Sequence, residues 1–493
     1  VSNVDSLGFF LPEILLTCGI MLVLLTGVVS KKAGATNFPA YVSIGCLAVV
    51  LISVLWLYPS QDHSLFRGVL ALDSFSLYFK VLFLILAVLV ILSSLSSVEI
   101  SGRRRGEYYA LILSVVLGMM LLASSTDLLM IYISLELVSI PSYILAGYKK
   151  EDSRSNEASL KYVIYGAFAT GVMLYGMSLL YGLTGTTNTI AIKEFLSSSS
   201  ASTVTLYVAL LLMLAGFGYK VASVPFHFWC PDVYQGAPTP ITGFLSVGPK
   251  AAGFAILIRF LYMAMSEGAL ASPGRPLWDV NWPMIVAVLS AVTMTFGNLA
   301  ALLQKNLKRL LAYSSIAHAG YLLMGVTVLS FDGVQAVLFY LFVYVFMNLG
   351  AFLVVIIVIN KLGAEEMEAY KGLGWRSPLL AVLMTVFLFS LTGLPPTGGF
   401  IGKFYLFAAV IKQKYYWLAL IGVLNSVIAL YYYARIVKAM FLEEARDSSK
   451  VPVSAFPATV LVLLAVPVLL LGIYWAPVKD FVDVSFQMLA SLK

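Results

Sequence analysis

Residues Gly216 to Lys250 read GFGYKVASVPFHFWCPDVYQGAPTPITGFLSVGPK. This stretch sets Lys220 and Lys250 inside apolar segments on either side of a proline-rich break. A charge at the centre of a membrane-spanning helix costs at least about 2.5–3.5 kcal/mol. Two lysines kept so close together in apolar surroundings mark an interior that uses them.

The surrounding composition is that of an integral membrane protein. Hydrophobic residues make up 60% of the chain and charged residues 11%, with a mean hydropathy of +0.94. Apolar runs of about 20 residues recur from end to end, each long enough to cross a hydrocarbon core of about 30 Å. They lack the alternation of outer-membrane strands, so the expected class is all-α and polytopic. No polar block is long enough for a large soluble domain. The net charge of +7 comes from basic residues between spans, where it sets orientation and gives no nucleic-acid signal. Cys18, Cys46 and Cys230 fit neither a disulfide framework nor a metal cluster. The residues before the first apolar run are few and not basic, so no cleavable signal peptide is expected.

Fourteen spans are expected, near 9–29, 40–58, 77–97, 108–124, 127–147, 160–183, 204–229, 241–263, 283–303, 309–329, 334–360, 378–411, 416–441 and 455–475. Basic residues crowd alternate loops: Lys31 and Lys32, Arg103 to Arg105, Lys149, Lys150 and Arg154, Lys305, Lys308 and Arg309, Lys361, Lys371 and Arg376, and Lys438, Arg446 and Lys450. The other loops carry only Arg67, Lys193, Arg275, Lys412 and Lys414. By the positive-inside rule the odd-numbered spans leave on the cytoplasmic side, and both termini face the opposite, periplasmic side. Ser197–Ser200 is a short low-complexity loop.

Span 7 is interrupted near Pro225 and span 12 near Pro395 and Pro396, with Lys220 and Lys403 close to the breaks. Five spans separate them, and an odd offset inverts the second copy. Paired broken helices in inverted halves point to an ion pathway at mid-membrane. The expected organisation is therefore 1–99 for helices 1–3, 106–265 for a first repeat of helices 4–8, 283–445 for an inverted second repeat of helices 9–13, and 455–476 for helix 14.

Glu136 lies nine residues past Asp127, about 13 Å into span 5. It reads as one half of a Glu–Lys pair that titrates during transport, or as a structural ion pair. Lys220 is its natural partner, and the two would titrate as a unit; the alternative is a lysine reaching back to the interface. Lys250 is ten residues, about 15 Å, into span 8, too deep for that. Lys403 follows the break SLTGLPPTGGFIGKF. His318, in LAYSSIAHAGY, is placed to relay protons between Lys250 and Lys403, or is a satisfied core histidine. Lys161 opens span 6 as a further candidate or an interfacial anchor. His227 and Asp232 follow the span 7 break and shape a cytoplasmic mouth or a loop. Lys80, Arg259 and Arg435 read as anchors or structural pairs. There is no phosphate-binding Gly-rich loop, no haem-attachment motif and no cysteine cluster for iron–sulfur.

At these residues the chain resembles a known family. PDVYQGAPTPITGFLSVGPKAA, NLKRLLAYSSIAHAGY and LTGLPPTGGFIGKF are similar to the subunit N (subunit 2) family of antiporter-like membrane subunits in respiratory complex I, the proton-pumping NADH:quinone oxidoreductase. The resemblance spans nearly the whole chain. GPK stands where related subunits carry a histidine, Lys403 where subunit M carries glutamate, and the chain ends soon after span 14, without the lateral helix of subunit L. The resemblance implies fourteen helices with inverted repeats, and a proton path through Glu136, Lys220, Lys250 and Lys403, with Lys161 and His318 at further polar-axis positions. It implies subunits K and M as neighbours in the bilayer, and no cofactor in this chain: flavin, iron–sulfur clusters and quinone belong to other subunits. A bacterial plasma (inner) membrane is the expected location, an organelle membrane the alternative. Three rival readings stand beside this one: a subunit of a multisubunit Na⁺(K⁺)/H⁺ antiporter, a quinone-binding redox subunit, and a structural spacer.

Overall fold

A computed structural model describes residues 3–33, 37–58, 62–100, 105–198, 202–267, 275–277, 280–445 and 449–487. Arg103, Arg104, Arg446, Ser199 and Ser200, named above, lie outside them. In chain order the helices are α1 (Asn3–Phe9), α2 (Leu11–Ala33), α3 (Phe38–Leu57), α4 (Ser74–Leu95), α5 (Arg105–Ser124), α6 (Leu128–Ala146), α7 (Ser153–Thr184), α8 (Thr189–Ser198), α9 (Thr203–Val221), α10 (Trp229–Gly236), α11 (Thr239–Ala264), α12 (Trp282–Leu302), α13 (Leu307–Thr327), α14 (Phe331–Leu362), α15 (Leu373–Arg376), α16 (Pro378–Thr392), α17 (Gly398–Lys412), α18 (Tyr416–Leu442), α19 (Ala455–Ile473) and α20 (Ala476–Gln487). Two short antiparallel hairpins, β1–β2 (His63–Leu65, Leu70–Leu72) and β3–β4 (Ser266–Glu267, Arg275–Pro276), lie between them.

Among the described residues thirteen helices are long and apolar enough to cross a membrane. The expected twelfth span is two helices, α16 and α17, of 15 residues each. Each rises only about 22 Å, so neither crosses a 30 Å core alone. α11 lies at the centre, its apolar stretch wholly buried, with α13, α14 and α4 almost as covered; α2, α3 and α19 turn most of their surface outward.

Side-chain caps start these helices where the apolar runs begin. The Asp127 carboxylate accepts the Leu129 and Met130 N–H groups at α6, and the Asn306 amide oxygen accepts that of Arg309 at α13. The same local devices recur 178 or 179 residues apart. α7 and α14 are each 32 residues long and end on a left-handed glycine, Gly185 (φ +69°) and Gly363 (φ +64°). The chain beyond each glycine returns to the preceding helix start: Leu128 N–H donates to Thr187 O at 2.8 Å, and Leu307 N–H to Glu365 O at 2.9 Å.

The two breaks also share a construction. α9 ends on left-handed Ala222 (φ +59°), with Ser223 N–H on Gly218 O; α16 ends on left-handed Gly393 (φ +90°), with Leu394 N–H on Phe389 O. Three residues past each left-handed position stands a cis-proline, Pro225 and Pro396.

Candidate functional site

The buried lysines sit at these breaks and on α11 between them. Lys220 is in the last turn of α9, 1% exposed, and its ammonium donates to Ser139 Oγ at 2.9 Å. Its stem packs on Gly253 of α11: a Cβ there would lie 3.3 Å from Lys220 Cβ and Cγ. Glu136, one turn before Ser139 on α6, is the carboxylate whose charge acts on Lys220, but the two form no ion pair within 4 Å. Glu136 instead lines a cavity of about 510 Å³ between α6 and α7, beside Tyr132, Tyr143 and Val163. The expected pair is thus in electrostatic reach but not in contact, and the Lys220 ammonium bonds a serine instead.

Lys250, 3% exposed, donates to Ser315 Oγ of α13 at 2.5 Å and stands 5.7 Å from the centre of the Tyr234 ring. Three residues on from Ser315, His318 pairs its Nδ1 with the Tyr340 hydroxyl at 2.7 Å and its Nε2 with that of Tyr433 at 3.4 Å. The Tyr433 hydroxyl also bonds Ser314. The charges of both Lys250 and Lys403 act on His318, so both lie within electrostatic reach of its ring. Lys403 on α17 donates to Thr392 O at 2.8 Å, a carbonyl that the end of α16 leaves without a helical partner, and lies 4.3 Å from the centre of the Tyr321 ring. Gly393 makes this possible: a Cβ there would meet Lys403 Cδ at 2.8 Å.

Lys161 and His227 are placed differently. Lys161 is about a third exposed and lies in an ion cluster: 2.7 Å from Glu157 and 2.5 Å from Asp232, whose other oxygen takes Arg309 at 2.6 Å. Asp232 so ties α10 to α7 and α13. His227 is buried between the breaking chain and α12, its ring 4.6 Å from Phe296 and its Nδ1 without a protein partner. Lys80, Arg259 and Arg435 each have partners within the fold. Lys80 pairs with Glu13 at 2.7 Å, Arg259 holds both oxygens of Asp73 at 2.8 Å, and Arg435 donates to the Leu302 and Gln304 carbonyls.

Several polar partners carry no signal of their own in the sequence. Ser139 and Ser315 were visible only as serines three residues from Glu136 and His318, a spacing that puts them on the same helix face. Lys308 was counted among loop charges, but is fully buried, donating to Ala237 O at 2.7 Å.

The arrangement offers a series of protonatable groups, each hydrogen-bonded to a neutral oxygen. Comparison with known proteins adds the following. The family described as NADH:quinone oxidoreductase/Mrp antiporter, transmembrane, matches residues 125–429. NADH-quinone oxidoreductase subunit N of Anaeromyxobacter sp. (strain Fw109-5) is 47% identical, covering 99% of this chain and 98% of its own. Subunit N 2 of Chloroherpeton thalassium is also 47% identical, over 98% of this chain and 95% of its own. A chain of respiratory complex I from Thermus thermophilus with bound aureothin superposes with a TM-score of 0.77 at 32% identity, covering 95% of this chain and 98% of that one. The Mrp complex from Dietzia sp. DQ12-45-1b shares the fold, with a TM-score of 0.79 at 21% identity over 96% of each chain.

Proposed function

The chain belongs to the NADH-quinone oxidoreductase subunit N family, the antiporter-like membrane subunits of respiratory complex I, and from that premise we propose that it carries protons along Lys220, Lys250, His318 and Lys403. It is a membrane subunit of an enzyme complex and works among partner membrane subunits. The carrying observation is that Lys220, Lys250 and Lys403 are all buried and all bonded to a neutral oxygen. A hydroxyl or carbonyl oxygen accepts an N–H from an ammonium or from a neutral amine alike, so the contact survives either protonation state. Glu136 biases Lys220 through its charge. Redox chemistry in other subunits drives the switch, which must supply about 2.3 kcal/mol per proton against 100 mV.

The organisation that goes with this reading is two inverted repeats, 106–265 and 283–445, with helices 1–3 and 14 outside. It is supported by the matched α7 and α14, their glycine caps, and the like construction of the two breaks. The basic loops then face the cytoplasm of a bacterial inner membrane, both termini face the periplasm, and subunits K and M are the neighbours. Lys161 belongs to the ion cluster around α10 and bears on the path only through Asp232; His227 lines the break.

The test is Lys250→Ala in assembled complex, with electron transfer and proton transfer recorded together. Loss of proton transfer, or its uncoupling from electron transfer, places Lys250 on the path. Unchanged protons per electron removes it and leaves the chain a spacer.

A further inference from the structure

The path above reaches Lys250 from Lys220, across the broken helix. The structure also carries a polar line straight down α11. Thr239, Thr242, Ser246 and Lys250 follow one another at intervals of three and four residues, which puts them on one face of the helix. Every one of them is buried. The facing wall is α14, whose Asn348 side-chain amide donates to Ser246 Oγ and whose Tyr344, one turn earlier, faces the Lys250 end.

Thr242 and Ser246 give their hydroxyl protons to the Tyr234 and Gly243 carbonyls and can still accept, and polar atoms beside them are short of partners. Among the described residues the buried Thr239 Oγ1, Asn348 Oδ1, Tyr234 OH and Tyr344 OH hydrogen-bond to no protein group. Thr239 Oγ1 is at the head of α11, Asn348 at Ser246, and both tyrosine hydroxyls lie near Ser315 at Lys250 without completing a bond to it. Buried polar atoms with no protein partner are where internal water is held, and a water there needs two to four such groups.

At the outer end the line meets Glu99, in the connection between α4 and α5. Glu99 is 10% exposed; its Oε2 accepts the Thr239 N–H at 2.7 Å and its Oε1 the Lys149 ammonium at 3.0 Å. Lys149 in turn reaches Asp152 at 3.1 Å, at the surface. On the inner side buried Lys308 bonds Ala237 O, just ahead of α11. Burial works to raise the Glu99 carboxyl, but the Lys308 and Lys149 charges and the Thr239 N–H outweigh it and hold it below the usual carboxylate range. Without Glu99, Lys149 would keep only Asp152 at 3.1 Å and Lys308 only Glu365 at 3.5 Å, and the head of α11 would present the positive end of a helix dipole to an entering proton with no carboxylate on it.

We infer that Glu99 and the α11 face Thr239–Thr242–Ser246 form a second, direct proton inlet to Lys250 that bypasses Lys220. Glu99 stays ionised and draws the proton to the mouth. Waters held by the unpartnered Thr239, Asn348, Tyr234 and Tyr344 atoms pass it along this face, and the free amine of Lys250 becomes an ammonium; no other group changes its protonation. The inference rests on Lys250 being on the proton path.

Two measurements on assembled complex test it. In a background of Cys18→Ala, Cys46→Ala and Cys230→Ala, single Thr242→Cys, Ser246→Cys and Ile241→Cys variants are exposed to methanethiosulfonate ethylammonium in inside-out vesicles. A wet line predicts modification at 242 and 246 and none at 241, which has the same depth on the other face. Equal behaviour at all three positions overturns the inlet. Separately, Glu99→Gln should lower protons per electron, and Glu99→Asp should retain them. Full proton transfer in Glu99→Gln, beside its loss in Lys250→Ala, overturns the inlet and leaves Lys250 in place. Full proton transfer in Lys250→Ala overturns the proposed function itself.

Discussion

Two kinds of buried charge share this bundle. Arg259 and Asp73 are both fully buried, and the guanidinium grips the carboxylate with two bonds of 2.8 Å while its Nε donates to Ala123 O. Glu13 and Lys80 are paired as directly, at 1% and 3% exposure. Lys220, Lys250 and Lys403 are as deeply buried, but their bonds go to a hydroxyl, a hydroxyl and a backbone carbonyl. A carboxylate fixes its partner in the charged form; a neutral oxygen does not. Burial alone therefore does not separate the two kinds. The identity of the partner does.

Breaking the first kind should cost the most. Arg259→Met leaves Asp73 buried without a counter-charge, at about 3–5 kcal/mol; the expected result is loss of assembled complex on a native gel. Adding Asp73→Asn, which can still accept the Ser76 N–H that caps α4, should recover a large part of it. If Arg259→Met assembles normally and loses proton transfer instead, the division between the two kinds fails.

Lys250→Arg sharpens the other side. Arginine keeps the positive charge but does not release its proton near neutral pH. Assembly should survive while protons per electron falls as far as in Lys250→Ala. Retained proton transfer would mean that a fixed charge suffices.

A smaller effect separates backbone from site. Gly393 and Gly363 both have positive φ, but a Cβ meets Lys403 at Gly393 and open space at Gly363. Alanine at either position should cost about 1–2 kcal/mol of stability, read from thermal unfolding in detergent. Only Gly393→Ala should also slow proton transfer. Equal slowing in both would attribute the effect to helix ends in general.

The smallest lies at the surface. The Glu99 carboxyl is held low by its surroundings in the folded protein. Its stabilisation is therefore fully present above the unfolded value of about 4.3 and is lost as pH falls through the folded value. With Lys149 a quarter exposed, the contribution is about 1 kcal/mol or less. Amide exchange at Val98–Ile100 should quicken on acidification below about pH 4, and should lose that dependence in Glu99→Gln.

Much of this was legible beforehand, for a physical reason. A span must be long and apolar, so eleven of the fourteen expected spans match single helices within a few residues, while the helix of the sixth span starts seven residues earlier than expected and that of the seventh ends eight residues sooner, before its break. The twelfth was readable as broken because proline and glycine act locally. Lys250 and Lys403 stood out because nothing apolar around them explains a charge. What sequence hid was partnership. Asp73 and Arg259 look like ordinary span-end residues until the fold joins them, and Ser139 and Ser315 are two serines among many. Lys308 looked exposed because its neighbours in sequence are polar, whereas α10 and α11 cover it in space. The short α8 and α20 were missed because each is too brief to span and amphipathic rather than uniformly apolar.

The Asp73–Arg259 pair also bears on how the chain is made. Its partners are 186 residues apart, so a ribosome adding about 5–20 residues per second completes the pair about 10–40 s after Asp73 emerges. Throughout that interval α4 has its N-terminal carboxylate capped by Ser76 N–H but without its counter-charge. One guanidinium on α11 bonds both the head of α4 and the end of α5, so this joint is complete only once the eighth span has been made.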